Sequence, residues 1–106
     1  MEHSGAVVDS ALVSDAVVWW TGWGRKSWPS REDDDVVERF GQDTALDLLP
    51  AIKGLESDFY ASDARHRARA LAEMGEQAAA DFRLLHPEVA EDAVQAFAWC
   101  YTFDFK

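Results

Sequence analysis

Helical spacing is the feature that most limits what this chain can become. In residues 44–61 the apolar side chains Ala45, Leu48, Ile52, Leu55 and Phe59 alternate by three and four positions. That interval places them on one face of a helix and on both faces of a strand. Residues 63–85 repeat the interval through Ala64, Ala68, Leu71, Gly75, Ala78, Phe82 and Leu85. Residues 87–102 carry a third stripe of Val89, Ala93, Val94, Phe97, Cys100 and Tyr101. Period-two alternation is confined to the tail, 101–105, which is read as frayed or extended. No sheet of three or more strands is expected.

Residues 9–21 read as a further helix, with Asp9 or Ser10 as its cap. Its apolar residues cover nearly the whole circumference, which suits a central, buried helix. The competing reading is a strand over residues 16–20, because Val and Trp favour strands. Gly22 and Gly24 close this element. A short helix, 31–40, follows, with Ser30 as its cap, carboxylates in its first turn and Gly41 as its stop. Pro50 interrupts the next stripe, and one bent helix is the preferred reading. The stripe of 63–85 is rich in small residues, so a neighbour can approach closely at Gly75, with the Trp cluster supplying the large partners. The expected fold is therefore all-α: one domain, a bundle or orthogonal array of about five helices over roughly 9–21, 31–40, 44–61, 63–85 and 87–102. Residues 1–6 are expected to be poorly ordered.

The charge is −10, with pI near 4.5. Residues 1–53 and 54–106 each hold five basic and ten acidic side chains. Neither half is a basic module, so nucleic acid is not the expected partner. An acidic surface favours a basic protein partner or a metal ion. No apolar run approaches the ~20 residues of a membrane helix, so no membrane partner is expected. The first residues lack the basic start of a secretory leader. Cys100 is the only cysteine, which rules out an internal disulfide and suits the cytoplasm.

The strongest candidate for function is the stretch 17–38, VVWWTGWGRKSWPSREDDDVVE. It gathers Trp19, Trp20, Trp23 and Trp28, four of the chain's five tryptophans. Trp19 shares a helix face with Ala11, Leu12 and Val18 and is expected in the core. Trp23 and Trp28 lie in a Gly/Pro loop beside Arg25 and Lys26, a composition typical of interface hot spots. The reading is a non-enzymatic, cytoplasmic protein-binding domain of an inhibitor, immunity or adaptor type. Its binding residues are Trp23, Arg25, Lys26, Trp28, Asp33 and Asp34, and it needs no cofactor.

The alternative is a small all-α phosphohydrolase dependent on Mg or Mn. Its metal ligands would be Glu73, Glu76, Glu88, Glu91 and Asp92, since hard cations take several carboxylate oxygens. No nucleophilic triad is legible in the scattered histidines. The basic cluster Arg65, His66, Arg67 and Arg69 stands at an expected helix start, where the dipole disfavours it. Ion pairing is the preferred explanation, either of Arg69 with Glu73 or with the run Asp33–Asp35; an anion site is the other.

Overall fold

The computed structural model describes residues 9–106. The expectation for residues 1–6 lies outside the described residues. The described chain is all-α: α1 (Ser10–Thr21), α2 (Asp33–Phe40), α3 (Gln42–Tyr60), α4 (Ala64–Arg67), α5 (Leu71–Leu85) and α6 (Glu91–Phe105). The helical reading of residues 16–20 holds, and so does α3 as one helix through Pro50. Pro50 and Leu46, whose carbonyl the proline leaves unpaired, are both exposed, so water can take that carbonyl.

Asp9 caps α1 by accepting the Leu12 N–H at 2.7 Å. Gly22 ends α1 in the left-handed region, and its N–H returns to the Val18 carbonyl. Ser30 is not the cap of α2. The helix begins after Glu32, and the Ser30 hydroxyl instead accepts from Lys26 Nζ.

The stripe of 63–85 does not form one helix. It breaks at Ala68 and Ala70, both in extended geometry. Alanine favours helix, and hydrogen bonds on both sides of the break oppose that preference. The Tyr101 hydroxyl takes the Arg65 N–H and donates to the Ser62 carbonyl. Glu73, in the first turn of α5, reaches back to the Arg69 N–H at 3.1 Å. Leu71 and Leu85, at the two ends of α5, are consequently exposed rather than on a buried face. The last helix also differs from expectation. It starts at Glu91 and runs to Phe105, so the tail is helical.

α6 is the hub, packing most extensively on α5 and then on α1. Its N-terminal N–H at Ala90 is taken by the buried Ser14 hydroxyl of α1, 2.9 Å away. Phe59 of α3, Phe82 of α5, and Phe97 and Tyr101 of α6 form a fully buried aromatic centre. Phe59 has ring centroids within 5.2–5.7 Å of the other three. These rings supply the bulk that the small residues of α5 lack; the Trp cluster does not. Cys100 is completely buried, and burial, its largest influence, pushes the thiol up to about 12.

Gly75 is the close crossing expected of α5. A Cβ there would stand 3.0 Å from Thr102 Cγ2 of α6. An interior helical Gly costs about 1 kcal/mol relative to Ala, but Gly75→Ala is expected to give no gain because it crowds Thr102. Adding Thr102→Ser removes the obstructing methyl. The double variant should then exceed Thr102→Ser alone by up to about 1 kcal/mol in denaturant unfolding. Equal stabilisation by Gly75→Ala in both backgrounds would show that no crowding exists.

Candidate functional site

The Trp loop is a closed, internally bonded turn. The Ser30 N–H donates to the Thr21 carbonyl, and the Glu32 N–H to the Trp20 carbonyl. These bonds clamp the two ends of the loop. Pro29 is buried inside it. Arg31 follows with φ of +52°, an uncommon geometry for a residue with a Cβ. It is held by a fork of two bonds, 2.8 and 3.1 Å, to the Asp104 carboxylate at the far end of the chain. Tyr60 completes this tie, donating to Asp104 at 2.6 Å and accepting from Arg31. Burial raises Asp104, but the bonds from Arg31 and Tyr60 outweigh it and hold the carboxyl below its ordinary value.

The expected binding residues fall into two sets. Trp28 is 63% exposed and stands at the surface as anticipated. Asp34 is exposed as well. The others serve the fold. Lys26 pairs with Asp35 at 2.7 Å. Arg25 donates to the Trp19 carbonyl, reaches Asp35 at 3.5 Å, and lies 4.1 Å above the Trp19 ring. Asp33 accepts from the Trp20 indole N–H and from Lys53, and those two bonds hold it below its ordinary value. Trp23 is half-buried against Trp99, with ring centroids 5.5 Å apart.

The core tryptophan is Trp20, at 4% exposure, and not Trp19. Trp19 is half-buried and sandwiched beneath Arg25 and Arg39. A helix that is apolar nearly all round gives no register to choose between two adjacent tryptophans. The Asp33 carboxylate, thirteen residues on, is the partner that draws the Trp20 indole inward.

The carboxylates of the metal reading are dispersed. Glu73 is bonded to Gln77 and the Arg69 N–H, Glu88 to His86, and Glu91 to Arg83 and Gln95. Glu76 and Asp92 are exposed. Among the described residues no group of three or more His, Cys, Asp or Glu could hold a metal ion. Of the basic cluster only Arg67 is ion-paired among the described residues, and with other partners than expected. Arg67 bridges Asp63 and Asp81, and Arg65 bonds the Tyr60 and Ser62 carbonyls. The run Asp33–Asp35 binds Lys53, Lys26 and Arg25 instead.

Two surface features remain, neither visible in the sequence as such. The first is acidic. Glu32, Asp34 and Glu38 around α2, and Asp43 and Asp47 in α3, have no cationic partner among the described residues. Leu46, 68% exposed, stands beside Asp47. The second is a groove of about 670 Å³ between α5 and α6, floored by Ala72, Gly75, Ala79 and Ala98 and walled by Trp23 and Trp99. No helix is long and apolar enough to cross a membrane among the described residues. Comparison with protein-family models, curated proteins and solved structures finds no match to this chain.

Truncation should separate these tryptophans. Trp20→Ala should cost about 3–5 kcal/mol. Trp28→Ala should change stability by no more than about 0.5 kcal/mol. Trp19→Ala, which loses stacking on two guanidinium groups at a partly exposed site, should fall between them at about 1–2 kcal/mol. Chemical unfolding of the three variants checks the order; a loss at Trp28 as large as that at Trp20 would place the loop in the core.

His86 gives a pH signature. Burial lowers its pKa, but Asp58 at 2.7 Å and Glu88 at 3.1 Å outweigh burial and raise it above 6.5. A group raised by folding contributes stability that is complete below its unfolded value and is lost as pH rises through the folded value. The wild type should therefore lose its stability advantage over His86→Gln as pH climbs from below 6.5 through that higher value. Melting curves of both proteins across this window check the sign; a pH-independent difference would contradict it.

Proposed function

We propose that this chain is a non-enzymatic domain that binds a protein partner with a basic surface. The contact is the acidic face of α2 and the start of α3, with Trp28 as its aromatic anchor. One observation carries the reading: the uneven use of charge. Arg25, Lys26, Arg31, Lys53, Arg67 and Arg83 are all ion-paired within the fold. Arg39, Arg65 and Lys106 lie over aromatic rings. The surplus carboxylates on α2 and α3 have no cationic partner among the described residues.

That arrangement has an energetic cost. Asp34 with Glu38, and Asp43 with Asp47, are like charges four residues apart on helices. Each such pair destabilises a helix by about 0.2–0.5 kcal/mol. Placement of Asp34 and Asp43 in first turns offsets part of it. A face that repels itself gains from a cationic partner, which it would also attract over distance and orient on approach. Exposed Trp28 and Leu46 supply the apolar contact that charge alone lacks. The buried single thiol is compatible with action in the cytoplasm.

The test is capture from host lysate, with the wild type and two variants as bait. One variant is Trp28→Ala; the other combines Asp34→Asn, Glu38→Gln and Asp47→Asn. The wild type should retain a basic protein at low salt, and both variants should lose it. The triple variant should melt no lower than the wild type, because it relieves repulsion. Equal recovery by all three baits would overturn the proposal.

A further inference from the structure

The groove between α5 and α6 is separate from the acidic face, and two tryptophan rings stand in its wall. Several partly exposed rings elsewhere already carry one of the chain's own cations, though Trp28 and Tyr60 do not. Arg25 and Arg39 cover Trp19, Arg39 also approaches Phe40, and Arg65 covers Phe105. The Trp23–Trp99 pair has no such cation among the described residues. Its rings meet at 60° with centroids 5.5 Å apart, both half-buried at the groove wall.

Glu76 stands on the same groove, exposed and without a cationic partner among the described residues. Arg83, on the same helix and the same groove, is committed to Glu91 through its Nε at 3.0 Å and its terminal nitrogen. Aromatic faces beside a free carboxylate suit an organic cation. The groove continues past Leu71 and Thr102 to Phe103 and Lys106. There the chain's own ammonium lies 4.4 Å from the Phe103 ring, so one end is already filled in the manner the other end lacks.

The length and floor set the shape of the occupant. Ala72, Gly75, Ala79 and Ala98 leave the floor shallow and apolar. A cleft between two helices with apolar walls takes the apolar face of a third helix. We propose that this groove docks an amphipathic helix of a basic partner protein, with one Lys or Arg seated on Trp23 and Trp99 and paired with Glu76. This inference rests on the reading of the chain as a binder of basic proteins and adds a second contact to it. The charge of −10 on the whole chain complements such a helix.

The probe is a synthetic amphipathic helical peptide of Leu and Lys, with a Glu-for-Lys version as control. Binding is followed by calorimetry and by the indole N–H resonances of the five tryptophans. The Lys peptide should shift the Trp23 and Trp99 signals, and the Glu version should not bind. Glu76→Gln should weaken binding about tenfold. Ala72→Phe, at an exposed position that fills the groove without touching the core, should abolish it. The Asp34, Glu38 and Asp47 triple variant should keep the Trp23 and Trp99 shifts. The inference falls if the Lys peptide fails to bind, if it shifts only Trp28, or if Ala72→Phe binds like the wild type. Should the triple variant alone abolish binding, the acidic-face reading survives and the groove does not.

Discussion

The packing of Phe59 against Phe82, Phe97 and Tyr101 holds the architecture together. These rings come from α3, α5 and α6, and all are essentially sealed from water. Large aromatic side chains contribute most to core energetics at short range and in tilted or edge geometry. Their position allows the rest of α5 to be built from Gly75, Ala78 and Ala79, and so to lie close against α6. Tyr101 has a second part. Its hydroxyl bonds the Ser62 carbonyl and the Arg65 N–H, and so fixes the start of α4 in the connection between α3 and α5. A single ring thus sets both the depth of the core and the path of the chain across it.

A second constraint acts at the surface. The Trp loop is shaped by its own clamps and by Arg31, and the cations inside the loop serve those clamps. Arg25 and Lys26 hold Asp35, the helix that follows. The loop is therefore a rigid platform rather than a free arm. What it offers outward is Trp28, carried on a turn clamped at both ends.

Periodicity made the class of the fold legible, because each helix longer than α4 presents at least one apolar stripe. Asp9, Gly22 and Gly41 marked their helix ends through local chemistry. Other features depend on distant partners and leave no local trace. The break at Ala68–Ala70 lies in a sequence that favours helix, and the short turn before it is held by a tyrosine more than thirty residues away. Trp19 and Trp20 are neighbours of the same type, and Asp33 decides which goes inward. The same holds for the site. The exposure of Trp28 followed from its Gly/Pro surroundings. The internal use of Arg25 and Lys26 did not, because an ion pair is visible only once both helices are placed. Neither did the groove, since its two walls, Trp23 and Trp99, are separated by most of the chain.

Cys100 turns the molecule into its own clock. The sole thiol sits in the hub helix, fully enclosed, with ionisation pushed up to about 12. Only a thiolate reacts readily with disulfide reagents, and only when it is reached. At neutral pH the closed molecule offers neither condition. The pace at which a thiol reagent labels the protein thus counts the openings that uncover α6, with no probe added.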